Sequence, residues 1–269
     1  MPEPLMTGNG RLRAVACALV AVFCGACASS RYPSFDRQTA GVFLEARDEP
    51  GVAAALAEPT WAVTTEGLAL IKEFEGDERK LGFEPRCTDD LSLHCPYNDA
   101  AHYCTIGYGH LIDFRPCGEI EERLDDLGFR TGIDDERATE LLADDLVNAQ
   151  LGVERHIVGG VIGISGLTEF QYDALTSFVF NVGAGNFGRS TLLERLKTRS
   201  RLDENEDIAF QFRRWTKAGG VRLAGLVTRR CREATHFFTG FDLESEACGG
   251  VSASALDGDA LVDIRAGEQ

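Results

Sequence analysis

The sequence predicts an α+β domain in which a small mixed lobe with a β-hairpin precedes a larger all-helical lobe. Three observations predict it: an amphipathic stretch at residues 65–75, a run of β-formers and turn glycines at 97–110, and a series of capped helical patterns from there to residue 239. With 269 residues, 44% of them hydrophobic, the chain can bury the core of one ordinary domain and still carry tails at both ends.

The chain opens on a segment unlike the rest. Arg11 and Arg13 precede the apolar run "AVACALVAVF" at 14–23, and small residues follow in "CGACASS". A charged n-region, a short apolar h-region and a small-residue cleavage region mark residues 1–27 as a secretory signal peptide. The apolar run falls short of the roughly twenty residues that span a bilayer, which disfavours a permanent transmembrane anchor. Gly25-Ala26-Cys27 resembles the end of a bacterial lipobox, making Cys27 a candidate lipidation site, although Cys24 stands where a large aliphatic residue is usual. The expected location is therefore outside the cytoplasmic membrane: the periplasm, an outer-membrane-attached lipoprotein, or the medium. Membrane contact is expected only through the signal peptide or a lipid anchor. Residues 28–62 are short on large apolar side chains and read as a flexible tether, residues 63–243 as the domain, and residues 244–269 as a small, acidic, mobile tail.

A formal net charge of −16 excludes a broad electrostatic grip on nucleic acid, which needs clustered Lys and Arg. Nine cysteines are present; Cys17, Cys24 and Cys27 fall in the signal region, leaving Cys87, Cys95, Cys104, Cys117, Cys231 and Cys248. An even number in an exported chain points to disulfides. A zinc site is the competing reading, but no C-x-x-C pair or close Cys/His cluster occurs, so no metal is expected. Six cysteines allow fifteen connectivities; the expectation is Cys231 with Cys248, and the other four among themselves.

The first helix is expected over Thr65–Glu75, "TEGLALIKEFE", with Gly76 as its stop. Leu68, Ile71 and Glu75 share one stripe, so a carboxyl continues an apolar face. It also sits at the helix C-terminus, where the macrodipole is negative. Both influences favour the neutral acid, the form a general acid needs. "YNDAAHYCTIGYGH" at 97–110 then places a carboxyl at Asp99 and a hydroxyl at Thr105 in a loop running into a hairpin. Asp134 can cap a helix through about Glu154, whose apolar face carries Asp145, a charge in need of a partner. Thr168 and Gln171 have capping-box spacing ahead of "FQYDALTSFVFNVG", apolar enough to be the central helix. Ser190 can cap "TLLERLKTR", Asp203 can start a helix over "ENEDIAFQFRRWTKA", and "LVTRRCREATHFF" supplies the last helix.

Two carboxyls in environments that separate their protonation are the machinery of glycoside hydrolysis. The motifs "FEG" at 74–76, "YND" at 97–99, "TIGYGH" at 105–110, "FNVG" at 180–183, "STLL" at 190–193 and "RW" at 214–215, followed by "AGG", "GLV" and "RR", resemble the phage-type lysozymes, glycoside hydrolase family 24, in that family's order. The resemblance covers residues 64–239. It implies a lysozyme-like fold with the active-site cleft between the lobes, no cofactor, and cleavage of the β-1,4 bond between N-acetylmuramic acid and N-acetylglucosamine in peptidoglycan by a monomer.

By the same resemblance, Glu75 is the general acid, and Asp99 with Thr105 positions the attacking water, giving inversion. Leu111, Phe180 and Ser190 match saccharide-groove positions; for Phe180 core packing, and for Ser190 a helix cap, are equal alternatives. His110 and Asp145 match a structural salt bridge. Arg229 and Arg230 read as a helix-surface ion pair near the cleft. One departure stands out: residues 77–96, with Cys87 and Cys95, form an insert between Glu75 and Asp99 that the family usually lacks. The alternative function is an exported, non-catalytic peptidoglycan-binding lipoprotein that keeps the fold.

Overall fold

The computed structural model describes residues 58–75, 87–99, 101–157, 166–198, 206–241 and 261–268. The signal segment, Cys27, most of the tether, residues 77–86 of the insert, and the expected caps Gly76 and Asp203 lie outside the described residues.

Helix α1 spans Thr65–Glu75. A three-stranded antiparallel sheet follows, β1 (Tyr97–Asn98), β2 (Cys104–Ile106) and β3 (His110–Asp113), in that spatial order. Gly107 and Gly109 take positive φ between β2 and β3, which explains why the turn reads "GYG". A 3₁₀ turn at Cys117–Glu119 and helix α2 (Glu121–Leu127), which the sequence reading did not anticipate, close this lobe.

Helix α3 (Asp135–Ile157) runs from the Asp134 cap, whose Oδ1 accepts the Arg137 N–H at 2.8 Å. Beyond it lies α4 (Glu169–Val182), opened by the Thr168–Gln171 capping box. Shorter helices α5 (Ala184–Gly188), α6 (Thr191–Thr198) and α7 (Glu206–Arg213) follow, then the hairpin β4 (Lys217–Ala218)–β5 (Val221–Arg222) and α8 (Ala224–Phe237). Among the described residues no helix is long and apolar enough to cross a membrane.

The core has two parts. Ile71, Ile106, Ile112, Leu124, Leu142 and Leu146 fill the sheet-bearing lobe. Around α4, Phe178, Phe187, Phe212, Trp215, Phe237 and Phe238 fill the helical lobe, largely edge to face. Val63 and Phe180 pack against both.

Three boundaries differ from the sequence reading. The helix expected over 204–218 ends at Arg213, because Gly219 and Gly220 take positive φ and turn Lys217–Arg222 into a hairpin. The domain begins before residue 63: the N–H groups of Thr60 and Trp61 donate to the buried Glu154 carboxylate, and the Trp61 carbonyl accepts from Gln150 and Tyr172. A buried carboxylate needs such donors, so the end of the expected tether is docked. Most of all, residues 261–268 of the expected mobile tail are packed. Val262 is buried in the helical core, Asp263 bridges in parallel to Lys217, and the Glu268 carboxylate accepts from Thr191 at the start of α6 and pairs with Arg214 at 2.7 Å. Acidic composition suggested a solvated tail, but its acids have specific partners and its apolar residues reach the core.

Candidate active site

Glu75 is the last residue of α1, and the helix is fixed at its other end by a buried acid. Asp173 of α4 is fully buried; its Oδ1 accepts the Thr64 N–H at 3.0 Å and its Oδ2 the Thr64 hydroxyl, while Thr64 Oγ1 accepts the Gly67 N–H at 3.1 Å. A negative charge there meets the positive end of the helix dipole. Nε2 of His236 lies 3.4 Å from Oδ2.

The Glu75 side chain is 21% exposed, and its Oε1 lies 2.6 Å from Nη1 of Arg229 on α8. Arg229 and Arg230 are buried rather than on a helix surface, which corrects the sequence reading. The cause is packing: α8 lays this face against α4, where Arg229 Nη2 donates to the Ser177 carbonyl at 3.2 Å and Arg230 Nη2 to Asn181 Oδ1 at 2.6 Å. Glu233, also fully buried, joins them, with Oε1 3.0 Å from Arg229 Nε and Oε2 3.2 Å from Arg230 Nε. Burial pushes the Arg230 guanidinium down to about 10. Burial also acts against the Arg229 charge, but Glu233 and Glu75 outweigh it and hold that group above its usual range. The contact of Glu75 with Arg229 is one that residue spacing does not reveal.

Asp99 stands at the tip of the β1–β2 hairpin. Its Oδ1 accepts the N–H groups of Ala101 and Tyr103 at 2.8 and 2.9 Å, an Asx-type turn that lets His102 adopt positive φ. Thr105 on β2 faces Tyr97 across the ladder and donates its hydroxyl to the Tyr97 carbonyl at 3.2 Å. Leu111 is its register partner on β3, next to a register shift at Cys104/Thr105. The Cys104–Cys117 disulfide and the bond from Cys117 N–H to Asn98 Oδ1 at 2.8 Å bind the residues beside Thr105 and Asp99 to the 3₁₀ turn that follows β3.

The insert has its own staple, Cys87–Cys95. Its end is tied down beside it: His94 exchanges backbone hydrogen bonds with Ile133, and its buried ring lies 3.2 Å from Asp135 Oδ1. Asp135 also receives the Tyr108 hydroxyl at 2.6 Å and Lys72 at 3.1 Å. Burial opposes charge on Asp135, but hydrogen bonds from Tyr108, His94 and Lys72 outweigh it and depress its pKa strongly. One carboxylate thus joins the insert, the β2–β3 turn and α1. The cysteines pair among themselves as expected of the four, though each bridge stays within its own segment. Cys231 is also disulfide-bonded, and its expected partner Cys248 lies outside the described residues.

The other predicted positions separate. His110 Nδ1 lies 3.0 Å from Asp145 Oδ2, across β3 and α3. Phe180 is half-buried at the junction of the two cores. Ser190 is 3% exposed, and its hydroxyl donates to the Phe187 carbonyl and accepts the Leu193 N–H, the capping geometry for α6. A cavity of about 630 Å³ lined by Trp61, Thr64, Phe170 and Thr239 opens at the opposite end of α1 from Glu75 and holds none of the predicted catalytic residues.

The family model described as phage lysozyme matches residues 92–233, a span that contains Asp99 and Thr105 and starts after Glu75. The endolysin of Bacillus phage B103 is 35% identical over 179 residues, covering 66% of this chain and 54% of its own length. The chain therefore spans about half the length of that relative. The endolysin of Acyrthosiphon pisum secondary endosymbiont phage 1 is 30% identical over 181 residues, 65% of this chain and 97% of its own length. A SAR-endolysin of Bacteriophage PS119 is 33% identical over 136 residues, 50% of this chain and 68% of its own. Among solved structures, the muramidase domain of SpmX from Asticaccaulis excentricus is 27% identical, covers 65% of this chain and 96% of that chain, and superposes with a TM-score of 0.43.

Proposed function

Because the chain belongs to the phage lysozyme family, we propose that it is an N-acetylmuramidase, hydrolysing the β-1,4 bond between N-acetylmuramic acid and N-acetylglucosamine in peptidoglycan. The observation that carries the proposal is the arrangement of three residues in the family pattern: Glu75 ends α1 against a buried arginine, while one hairpin holds Asp99 and Thr105.

Glu75 protonates the glycosidic oxygen as the bond to the anomeric carbon breaks. The carboxylate left behind faces the Arg229 cation. Asp99 and Thr105 hold a water on the opposite face of the sugar, and Asp99 takes its proton. Because the Thr105 hydroxyl donates to the Tyr97 carbonyl, its lone pairs are oriented to accept from that water. Inversion follows, a course that in inverting glycosidases requires the two carboxyls to be about 6.5–9.5 Å apart, with room for the water. Leu111 and Phe180 flank the bound glycan, Ser190 acts as the helix cap, and the His110–Asp145 pair braces the hairpin against α3.

Export by the N-terminal segment places the domain with its substrate in the periplasm, with Cys27 as a candidate lipid anchor and the domain acting as a monomer. Family membership and the presence of all three catalytic residue types favour an enzyme over a peptidoglycan-binding module. The test is reducing-end release from purified peptidoglycan by residues 28–269, against the Glu75→Gln variant. Release by the first and none by the second is the expected result. Binding without release by the folded wild-type protein would install the binding module in its place.

A further inference from the structure

We propose that Glu233 is a positioning residue of this hydrolase, holding Arg229 against Glu75 and cancelling one of the two guanidinium charges that stand behind it. The inference rests on the reading of Glu75 as general acid.

Four ionisable groups meet where α1, α4 and α8 converge: Glu75, Arg229, Arg230 and Glu233. Three are buried outright, and only Glu75 reaches solvent. Glu233 is the shared counter-ion. Its Oε1 takes both Arg229 Nε at 3.0 Å and the Ser177 hydroxyl at 2.7 Å, and its Oε2 faces Arg230 Nε at 3.2 Å. That grip orients the Arg229 fork so that its remaining Nη1 points at Glu75.

The charge count then fixes the consequence. Two guanidiniums and one carboxylate leave a single net positive charge opposite Glu75. Without Glu233 that charge would be two, and the carboxylate form of Glu75 would be over-stabilised. The other nearby groups do not alter the balance. On α1, Glu73 pairs with Arg232 on the exposed flank, and Lys72 is directed to Asp135. From α4 the neighbours are the neutral Ser177 and Asn181. Asp173 and His236 sit at the opposite end of α1. Asp99 is held within its own hairpin by the Ala101 and Tyr103 N–H groups.

A purely structural network tying α8 to α4 would change stability but leave the pH dependence of the remaining activity alone. The pH profile of kcat/KM on purified peptidoglycan therefore separates the two. Its alkaline limb follows loss of the acid's proton. In Glu233→Gln this limb moves down by about one pH unit, because an extra uncompensated cation favours the carboxylate. In Arg230→Met it moves up. In the double variant the count returns to one cation, and the limb returns toward its wild-type position.

Circular dichroism identifies the variants that fold. If Glu233→Gln does not, Arg230→Met and the double variant carry the test. An unmoved limb in the folded variants overturns the inference. Glu75→Gln is measured alongside: if it is inactive while the limbs stay put, only the role of Glu233 fails. If it is fully active, the reading of Glu75 fails and this inference with it.

Discussion

Gly67 on α1 lies directly against the buried carboxylate of Asp173 on α4, so close that a methyl group at position 67 would overlap it. Replacing glycine by alanine inside a helix ordinarily stabilises it by about 1 kcal/mol. Here the sign reverses, because Asp173 is fixed by Thr64 and cannot withdraw. Gly67→Ala should lower the melting temperature. It should also reduce peptidoglycan hydrolysis by roughly a hundredfold, since a displacement of about 1 Å at Glu75, on the same helix, costs that much.

Asp173→Ala removes the acceptor of the Thr64 N–H and hydroxyl while leaving the helix sequence intact. Two donors left without their acceptor should cost about 2 kcal/mol in urea denaturation. A change under roughly 0.5 kcal/mol would mean that water replaces the carboxylate there.

Asp135 has a depressed pKa in the folded state, so its contribution to stability is present above the unfolded carboxyl range and is lost as pH falls. Asp135→Asn should therefore destabilise the protein at pH 7, and the gap to wild type should narrow steadily below about pH 4. Its side chain is half exposed, so screening keeps the effect modest. Thermal melts across the two pH values measure it, and a constant gap would contradict the electrostatic account.

The paired replacement Cys104→Ala with Cys117→Ala should impair catalysis before it unfolds the helical lobe, because the bridge ties β2, next to Thr105, to the 3₁₀ turn of the same lobe. Its short loop predicts a loss of about 3 kcal/mol at most. Simultaneous loss of activity and of helical circular dichroism would show that the bridge holds the whole domain instead.

Ending the chain after residue 260 removes Val262 from the core and Glu268 from the start of α6. Burial of the valine and loss of the cap together predict a destabilisation of about 3 kcal/mol. An unchanged denaturation midpoint would restore the reading of this stretch as a tail.

Local signals were legible where one residue type does one job. The Thr168–Gln171 capping box, the Asp134 cap, the "GYG" turn and the amphipathic stripe of α1 all follow from spacing and side-chain chemistry. The charge network was legible only in part: Arg229 and Glu233 have i,i+4 spacing on α8, but Glu75 meets Arg229 only through the packing of α8 against α1. "RRCRE" on an amphipathic helix looks like a solvated face, and no periodicity announces a guanidinium turned inward. The docking of the tail is not legible for a related reason. Its partners Arg214, Lys217 and Thr191 come from separate elements, and composition carries no information about them. Asp145 was the intermediate case: its position on an apolar face demanded a partner, and His110 supplies one from the sheet.

The insert between Glu75 and Asp99 leaves from a residue anchored on Arg229 and returns through a stapled, sheet-bridged end at Cys95 and His94. Between two fixed ends, doubling the length of a loop adds only about 0.6 kcal/mol of closure entropy. A change in the length of this segment therefore costs folding little. On the proposed reading of Glu75 and Asp99 as the two catalytic carboxyls, the insert joins one to the other along the chain, so its length can change while both residues keep their own anchors.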